Sequence, residues 1–497
     1  MYLGRIVEEG PAARVLAEPM HPYAAMLRDA SPVPDPSRRG ALPRIVGEIP
    51  SAANPPPGCP FHPRCPHAMP VCARRATSVP LPSNAPSATT PVRVHAHDEE
   101  ALPGLERLAA AVARHGTLLL GQLWHGGSAH HGPRGLDAVG PSAVPDHMSW
   151  TVPRALGSEE VAALVEDYAA SAHRLWRAGF AGVEVSAAHG FLPLQFLSPV
   201  TNQREDEWGE RTRFVREILR AIRARCGSGF VIGLKLPADD FIPGSIDVAE
   251  AKRLTAEIVA DVPPDYLCFS QGTHGWSLHR HAPDMHEPVA PYRDLIRQMR
   301  GAAGGVPLAA IGRIATAEMA EEVLAAGEAE LVMLARPLLA DPFLPEKARS
   351  GRAAAITPCI HCNACWGEIH RNVAIGCSVN PHIGTARDGA PAVTQAKVAK
   401  RVVVVGGGVA GLVAAAAAAE RGHRVTLLGT SLGGGAELHA RLPGCADIGR
   451  VVASFVNRAV DAGVEVRVSG DVGVAELIAL RPEAVVLATG ARMAAPA

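Results

Sequence analysis

Between about residues 97 and 350, short apolar stretches alternate with longer amphipathic ones. The apolar stretches predict strands at 118–123, 182–185, 231–236, 266–269, 308–311 and 331–334. Between them the apolar positions recur at helical spacing. A helix is expected over 159–178, capped by Ser158, with Glu159 and Glu160 in its first turn. Strands that alternate with helices build a parallel sheet. Polar residues and glycines gather just after each strand, as in a (β/α)8 barrel whose chemistry lies at the strands' C-terminal ends. Six strands are counted where a closed barrel needs eight, so the expected fold is α/β with an incomplete TIM barrel.

A second α/β texture begins at Lys400. Val402 to Ala419 is almost purely apolar and long enough to span a bilayer. The order of four valines, then Gly406, Gly408 and Gly411, then an alanine run, instead suits a buried strand, a tight turn and a helix. G-x-G-x-x-G in that setting places a dinucleotide pyrophosphate at the helix N-terminus. The acidic residue that would hold the ribose is absent: the second strand ends on Gly429. Weakened affinity for an ADP moiety is therefore expected.

Composition narrows the field. Aromatics are 4% and the formal net charge is −1, which calls for no nucleic-acid partner. Met1 to Gly10 lacks an apolar core segment, so neither a secretory signal nor export is expected, and the location is read as cytoplasmic. The chain has ten cysteines. Four of them, Cys359, Cys362, Cys365 and Cys377, follow C-x2-C-x2-C-x11-C. In an unexported chain such clustering favours metal ligation over disulfides. Three close thiolates and one distant can enclose a [4Fe–4S] cluster, and zinc also accepts four cysteines.

Residues 1–96 differ from the rest. They are proline-rich and irregular, with Asn54-Pro55-Pro56-Pro57-Gly58 and few periodic apolar positions. His21-Pro22-Tyr23 and then Phe61-His62-Pro63-Arg64-Cys65-Pro66 resemble the C-terminal extension of oligopeptide/dipeptide ABC transporter ATP-binding proteins. The resemblance implies ABC transporter subunits as partners. It also implies that Cys59, Cys65 and Cys72 could serve a second cluster, with the fourth position in Val94-His95-Ala96-His97. No G-x-x-x-x-G-K-[ST] loop occurs, so ATP hydrolysis is not expected.

Three segments carry the barrel's candidate chemistry. They are Gly121-Gln122-Leu123-Trp124-His125-Gly126-Gly127, then Val183 to Pro199 with His189 just past a strand end, then Ile311-Gly312-Arg313 with Ala335-Arg336-Pro337. Small residues that expose backbone N–H groups, beside a guanidinium, suit a phosphate. Together these segments resemble the old yellow enzyme superfamily, in the multi-domain branch of 2,4-dienoyl-CoA reductase and trimethylamine dehydrogenase. The resemblance spans about residues 98–497. It implies FMN, with Gln122 on the flavin ring, Lys235 at the N1/O2 edge, and Gly312, Arg313, Ala335 and Arg336 at the phosphate. It gives His189 to the substrate's polar group. It also implies FAD and NAD(P)H at the glycine loop, and a [4Fe–4S] cluster that passes single electrons.

Departures accompany the likeness. Phe191 stands where relatives carry a proton-donating Tyr, and Ser186 where they often carry His or Tyr. Gln271 to Ser277 holds no Asp to pair with a histidine, and Trp276 is read as lining the pocket or lying on the surface. The barrel's first two strands and about a third of the dinucleotide machinery are expected to be missing. The divisions expected are 1–96, 97–350, 351–398 and 399–497. The function expected is NAD(P)H-linked oxidoreduction of an enoyl thioester, enone or amine at FMN. The alternatives are an inactive chimera, or a transporter-associated segment with a vestigial barrel.

Overall fold

The computed structural model describes residues 17, 19, 22–29, 61–65, 98–129, 138–147, 152–371, 373–383, 393–470 and 472–491. His21, Cys59, Cys72 and the 94–97 stretch lie outside these. Contacts divide the chain into two units. One comprises residues 1–183, 191–196 and 201–230, and the other residues 184–190, 197–200 and 231–497.

In the first unit, strand β1 (Leu120–Leu123) runs beside the opening residues of β4 (Gly182–Ser186). Two short strands, β2 (Val139–Gly140) and β3 (Arg154–Ala155), pair in parallel; the sequence pattern did not foresee them. The helix Ser158–Arg177 buries Val161, Leu164, Val165, Tyr168, Ala172 and Leu175, the i, i+3, i+4 face of an amphipathic helix. That face packs on Phe214, Val215, Ile218, Leu219 and Ile222 of the helix Arg213–Cys226. Each large side chain so buried contributes about 1.5–3 kcal/mol. Ser158 is not the cap. Its hydroxyl turns to Asp206 at 2.5 Å, and Gly157 takes the capping place, donating its N–H to Glu160 at 2.8 Å. The same Glu160 carboxylate pairs with Arg154 at 2.7 Å.

The second unit takes over the last three residues of β4. Beyond it lie β5 (Val231–Asp239), β6 (Tyr266–Gln271), β7 (Leu308–Ala310) and β8 (Leu331–Val332). Pairing from β5 to β8 is parallel throughout. All six expected strands thus fall in one sheet, in the order β1-β4-β5-β6-β7-β8. Every residue of β6 is buried, as expected of a parallel strand covered on both faces. The intervening helices start on the expected chemistry: Asp247 accepts from the Glu250 N–H at 2.9 Å, and Thr316 from that of Met319 at 3.2 Å.

The same unit holds a second parallel sheet of β9 (Arg401–Val405), β10 (Arg424–Gly429), β11 (Glu465–Val468) and β12 (Ala484–Leu487), in the order β11-β10-β9-β12. Its core joins Val402, Val404, Leu412, Ala415, Val425, Leu427, Val451 and Phe455. The apolar run from Val402 resolves into β9, a glycine turn and the helix Val409–Glu420. Among the described residues no helix is long and apolar enough to cross a membrane.

Asp167 is a cost built into the first unit. One carboxylate oxygen is buried without a partner, and burial beside Glu166 pushes its pKa from 3.8 up to about 6. A raised carboxyl pKa means that the folded state holds the proton more tightly, so stability falls as pH rises from about 4 through 6. Asp167→Asn should therefore raise stability by about 1 kcal/mol at pH 8, after discounting for partial exposure, and leave it unchanged at pH 3.5. Urea melts at the two pH values check this.

Candidate active site and cofactor loops

Strand ends in the second unit finish on left-handed backbone. His189 (φ 63°) follows β4, Phe241 (φ 55°) follows β5, and Arg313 (φ 49°) follows β7. For a residue with a Cβ this conformation costs about 1–3 kcal/mol and persists only where neighbours hold it. At His189 the hold is visible. Its carbonyl accepts the backbone N–H of His274 at 3.1 Å and the His274 Nδ1 at 3.0 Å. A carbonyl only accepts, so His274 carries a proton on Nδ1.

The side chain of His189 has its own partner. Its Nδ1 lies 2.8 Å from Nδ1 of His281, so one ring donates and the other accepts. His274 and His281 stand 4.3 Å apart, and the Trp366 indole lies 6.0 Å from His274 at 16°. Burial, with the nearby His281, Lys235 and His274, holds the His189 pKa well below its ordinary value. His189 is therefore a neutral imidazole at pH 7, with both tautomers open to it. Sequence reasoning named His189 but missed His281 as its partner; the signal was the histidine-rich run His274 to His281.

Lys235 is buried on β5 and ion-paired to Glu184 of β4 at 2.8 Å. Glu184 also accepts the Tyr266 hydroxyl at 3.0 Å. Burial works against the ammonium, while Cys268 and Glu184 work for it, and the Lys235 pKa ends above its ordinary value. Burial pushes the neighbouring Cys268 thiol up to about 12.

The two expected phosphate arginines have protein partners. Arg313 donates to Asp447 at 2.8 Å and to the Met285 carbonyl at 3.2 Å. Arg336 donates to the Pro283 carbonyl at 2.8 Å and to Asn363. Gly312 (φ 111°) has no room for a Cβ, which would come within 2.5 Å of the Tyr292 ring. Ala335 is exposed at the entry to the helix Arg336–Ala340.

In the first unit Gln122 is exposed on β1 beside the fully buried Leu123. The loop after it is fastened by Gln195, which accepts from the Ser128 N–H at 3.2 Å and donates to the Gly126 carbonyl at 3.3 Å. Sequence reasoning gave Gln195 no role. The Trp124 and Phe191 rings meet at a 38° tilt with centroids 4.6 Å apart. Trp276, in the second unit, is half exposed.

Cys359, Cys362, Cys365 and Cys377 line one small cavity together with Arg336, Asn363 and Ser378. Burial pushes the Cys359 thiol up to about 11, and the His361 N–H donates to its sulfur at 3.3 Å. In the glycine loop, a Cβ on Gly406 would meet the Ala488 carbonyl at 2.1 Å, and one on Gly411 the Gly406 carbonyl at 1.8 Å. Gly408 caps the helix Val409–Glu420 and faces open space. Gly429 is bare for a steric reason: a Cβ there would press on the Gly407 nitrogen at 2.7 Å.

A parallel α/β sheet with its polar groups past the strand ends, followed by a glycine-loop sheet, is the architecture of flavin- and nicotinamide-dependent oxidoreductases. The chain belongs to the NADH:flavin oxidoreductase / NADH oxidase family, whose description matches residues 78–355. An NAD(P)-binding Rossmann-like domain matches residues 404–452, and the oligopeptide/dipeptide transporter C-terminal region matches residues 7–72. A metal reductase of Desulforamulus reducens is 34% identical over 80% of this chain and 61% of its own length. An NADH oxidase of Thermoanaerobacter brockii is 36% identical over 80% of this chain and 62% of its own. The chain thus spans about three fifths of these relatives. Among solved structures, a 2-naphthoyl-CoA reductase complex superposes with TM-score 0.76 and 29% identity, covering 80% of this chain and 63% of that one. Histamine dehydrogenase from Rhizobium sp. 4-9 gives 0.72 and 28%, with 79% and 58% covered.

Removing Glu184 leaves a buried ammonium uncompensated. Glu184→Ala should cost about 3–5 kcal/mol at pH 7, read from urea unfolding of the flavin-free chain. A loss below about 1 kcal/mol would show the pair to be dispensable.

Proposed function

We propose that the chain is an NAD(P)H-linked flavin and iron–sulfur oxidoreductase that acts on an enoyl thioester, enone or amine. One observation carries this reading: four cysteines at cluster spacing share a cavity with Arg336, in the unit that also holds the β4–β8 strand ends and the glycine loop. Among the described residues no three or more His, Cys, Asp or Glu converge as closely as a lone metal ion requires. Four thiols at C-x2-C-x2-C-x11-C spacing around a common cavity suit a [4Fe–4S] cluster.

The remaining residues also fit their groups. Arg313 keeps a buried Nε with no hydrogen-bond partner, a donor suited to the FMN phosphate near Gly312. The bare Gly408 at the start of Val409–Glu420 leaves room for the pyrophosphate of FAD or NAD(P)H. When bound, FMN supplies hydride and single-electron chemistry, and a cluster at the four cysteines relays single electrons. Lys235 sets a fixed positive charge at the flavin edge, tempered by Glu184. Gln122 offers its amide to the ring. His189, neutral and paired with His281, hydrogen-bonds a substrate's polar atom. Phe191 has no proton to give.

The named relatives include a cinnamate reductase of Clostridium sporogenes and an N,N-dimethylglycine/sarcosine dehydrogenase of Chromohalobacter salexigens, of whose lengths the match covers 56% and 59%. They bracket the substrate classes proposed for this chain. A second reading concerns residues 1–96. The Tyr23 and Phe61 rings, one from each transporter-like signature, lie 5.3 Å apart. That contact joins the two signatures by which these residues would dock on peptide-transporter subunits.

Anaerobic purification with iron and sulfide reconstitution tests the main reading. The expected product holds roughly one FMN and one four-iron cluster per chain, read by visible absorbance and by iron and sulfide assays. A folded chain with neither would refute it and favour the chimera, and co-purified transporter subunits would favour docking. Phe191→Tyr should raise enone reduction at least ~10-fold, since a positioned proton donor contributes ~10²–10⁴. An unchanged rate would exclude a missing tyrosine as the limitation.

A further inference from the structure

Asp447 sits in the first turn of the helix Ala446–Asp461, beside the glycine-loop sheet. Its carboxylate is nevertheless spent on two other segments. Oδ2 accepts from Arg313, past the end of β7, at 2.8 Å and from Nδ1 of His361, between Cys359 and Cys362, at 2.9 Å. The side chains of Arg313, Asp447 and His361 are 4%, 7% and 1% exposed. Arg450 reaches the other oxygen at 3.3 Å. Both Arg313 (φ 49°) and His361 (φ 51°) hold left-handed backbone, so each turn needs an external hold. The Nε2 of His361 is buried without a partner among the described residues, so Asp447 is the polar anchor of that ring.

A buried ion pair is a poor way to gain stability, because desolvation offsets most of its Coulomb energy. This one instead joins the phosphate-loop arginine, the cysteine loop and the dinucleotide sheet at a single carboxylate. The charged groups facing it are Arg313 from the β7 end, Arg450 from its own helix, and Arg336, which lines the cysteine cavity and lies close enough to His361 to act on its charge.

We propose that Asp447 is a positioning residue for the electron-relay site. It holds His361 so that the turn presenting Cys359 and Cys362 keeps its shape, and its negative charge, set against Arg313, fixes the reduction potential of the group those cysteines hold. The proposal rests on the iron–sulfur reading above. A neighbouring negative charge disfavours an added electron and a positive one favours it.

The two partners of the pair must therefore act with opposite signs. Asp447→Asn leaves Arg313 uncompensated and should move the cluster's midpoint potential positive. Arg313→Gln leaves Asp447 uncompensated and should move it negative. Redox titration of the reconstituted chain, followed by electron paramagnetic resonance, reads both shifts. Loss of packing alone would move both variants the same way, and that result, or no shift in a folded variant, overturns the proposal. If one variant fails to fold, the other tests its own sign. If the parent chain takes up no iron, the cofactor reading fails separately. The positioning claim is then judged on the apo chain, where Asp447→Asn should speed amide exchange in the peptide 359–363 at least ~10-fold; unchanged exchange would refute it.

Discussion

A parallel strand delivers its chain to one end of the sheet, and the chain must turn there within two or three residues. In this protein that turn is repeatedly left-handed, at His189, Phe241 and Arg313, and again at His361 in the cysteine segment. Glycine would make such turns without strain. Side chains that carry chemistry make them only because neighbours hold the backbone. His274 holds His189 by its carbonyl, and Asp447 holds the side chains of Arg313 and His361. The candidate chemistry and the local strain therefore share the same residues.

Two buried carboxylates organise the second unit. Glu184 satisfies Lys235 and Tyr266, and Asp447 satisfies Arg313 and His361. Glu184 accepts from donors on two other strands, and Asp447 from two other segments and from Arg450 of its own helix. Burial alone would raise the Asp447 pKa, but the hydrogen bonds from His361 and Arg313 hold it far below the carboxylate range. The carboxylate therefore keeps its charge at neutral pH, which suits a steady electrostatic role and not a switch. His189 is tuned in the opposite sense: burial and neighbouring positive groups keep it neutral.

The strands were legible because parallel strands buried on both faces are continuous apolar runs. The expected 266–269 lies within Tyr266–Gln271, and 231–236 within Val231–Asp239, which carries on through a register shift at Pro237 that no apolar pattern marks. The glycine loop was legible because its spacing falls between an apolar strand and an alanine-rich helix. The cap at Gly157 was not, because Ser158 is drawn off by Asp206, distant in sequence. The His189–His281 pair spans 92 residues and the Arg313–Asp447 pair 134. The histidine-rich run His274 to His281 is a local sign of the first partner, whereas nothing local marks Asp447. The absence of an acid at Gly429 was visible, but its steric reason, the nearby Gly407 nitrogen, was not.

If one carboxylate ties the β7 loop, the cysteine turn and the helix Ala446–Asp461 together, these segments cannot open one at a time. Native-state hydrogen exchange across a urea series reads this directly in the unmutated chain. The account predicts that amides near residues 311–314, 359–363 and 446–450 merge into a single opening event with one urea dependence. Three separate events, each with its own slope and free energy, would contradict it.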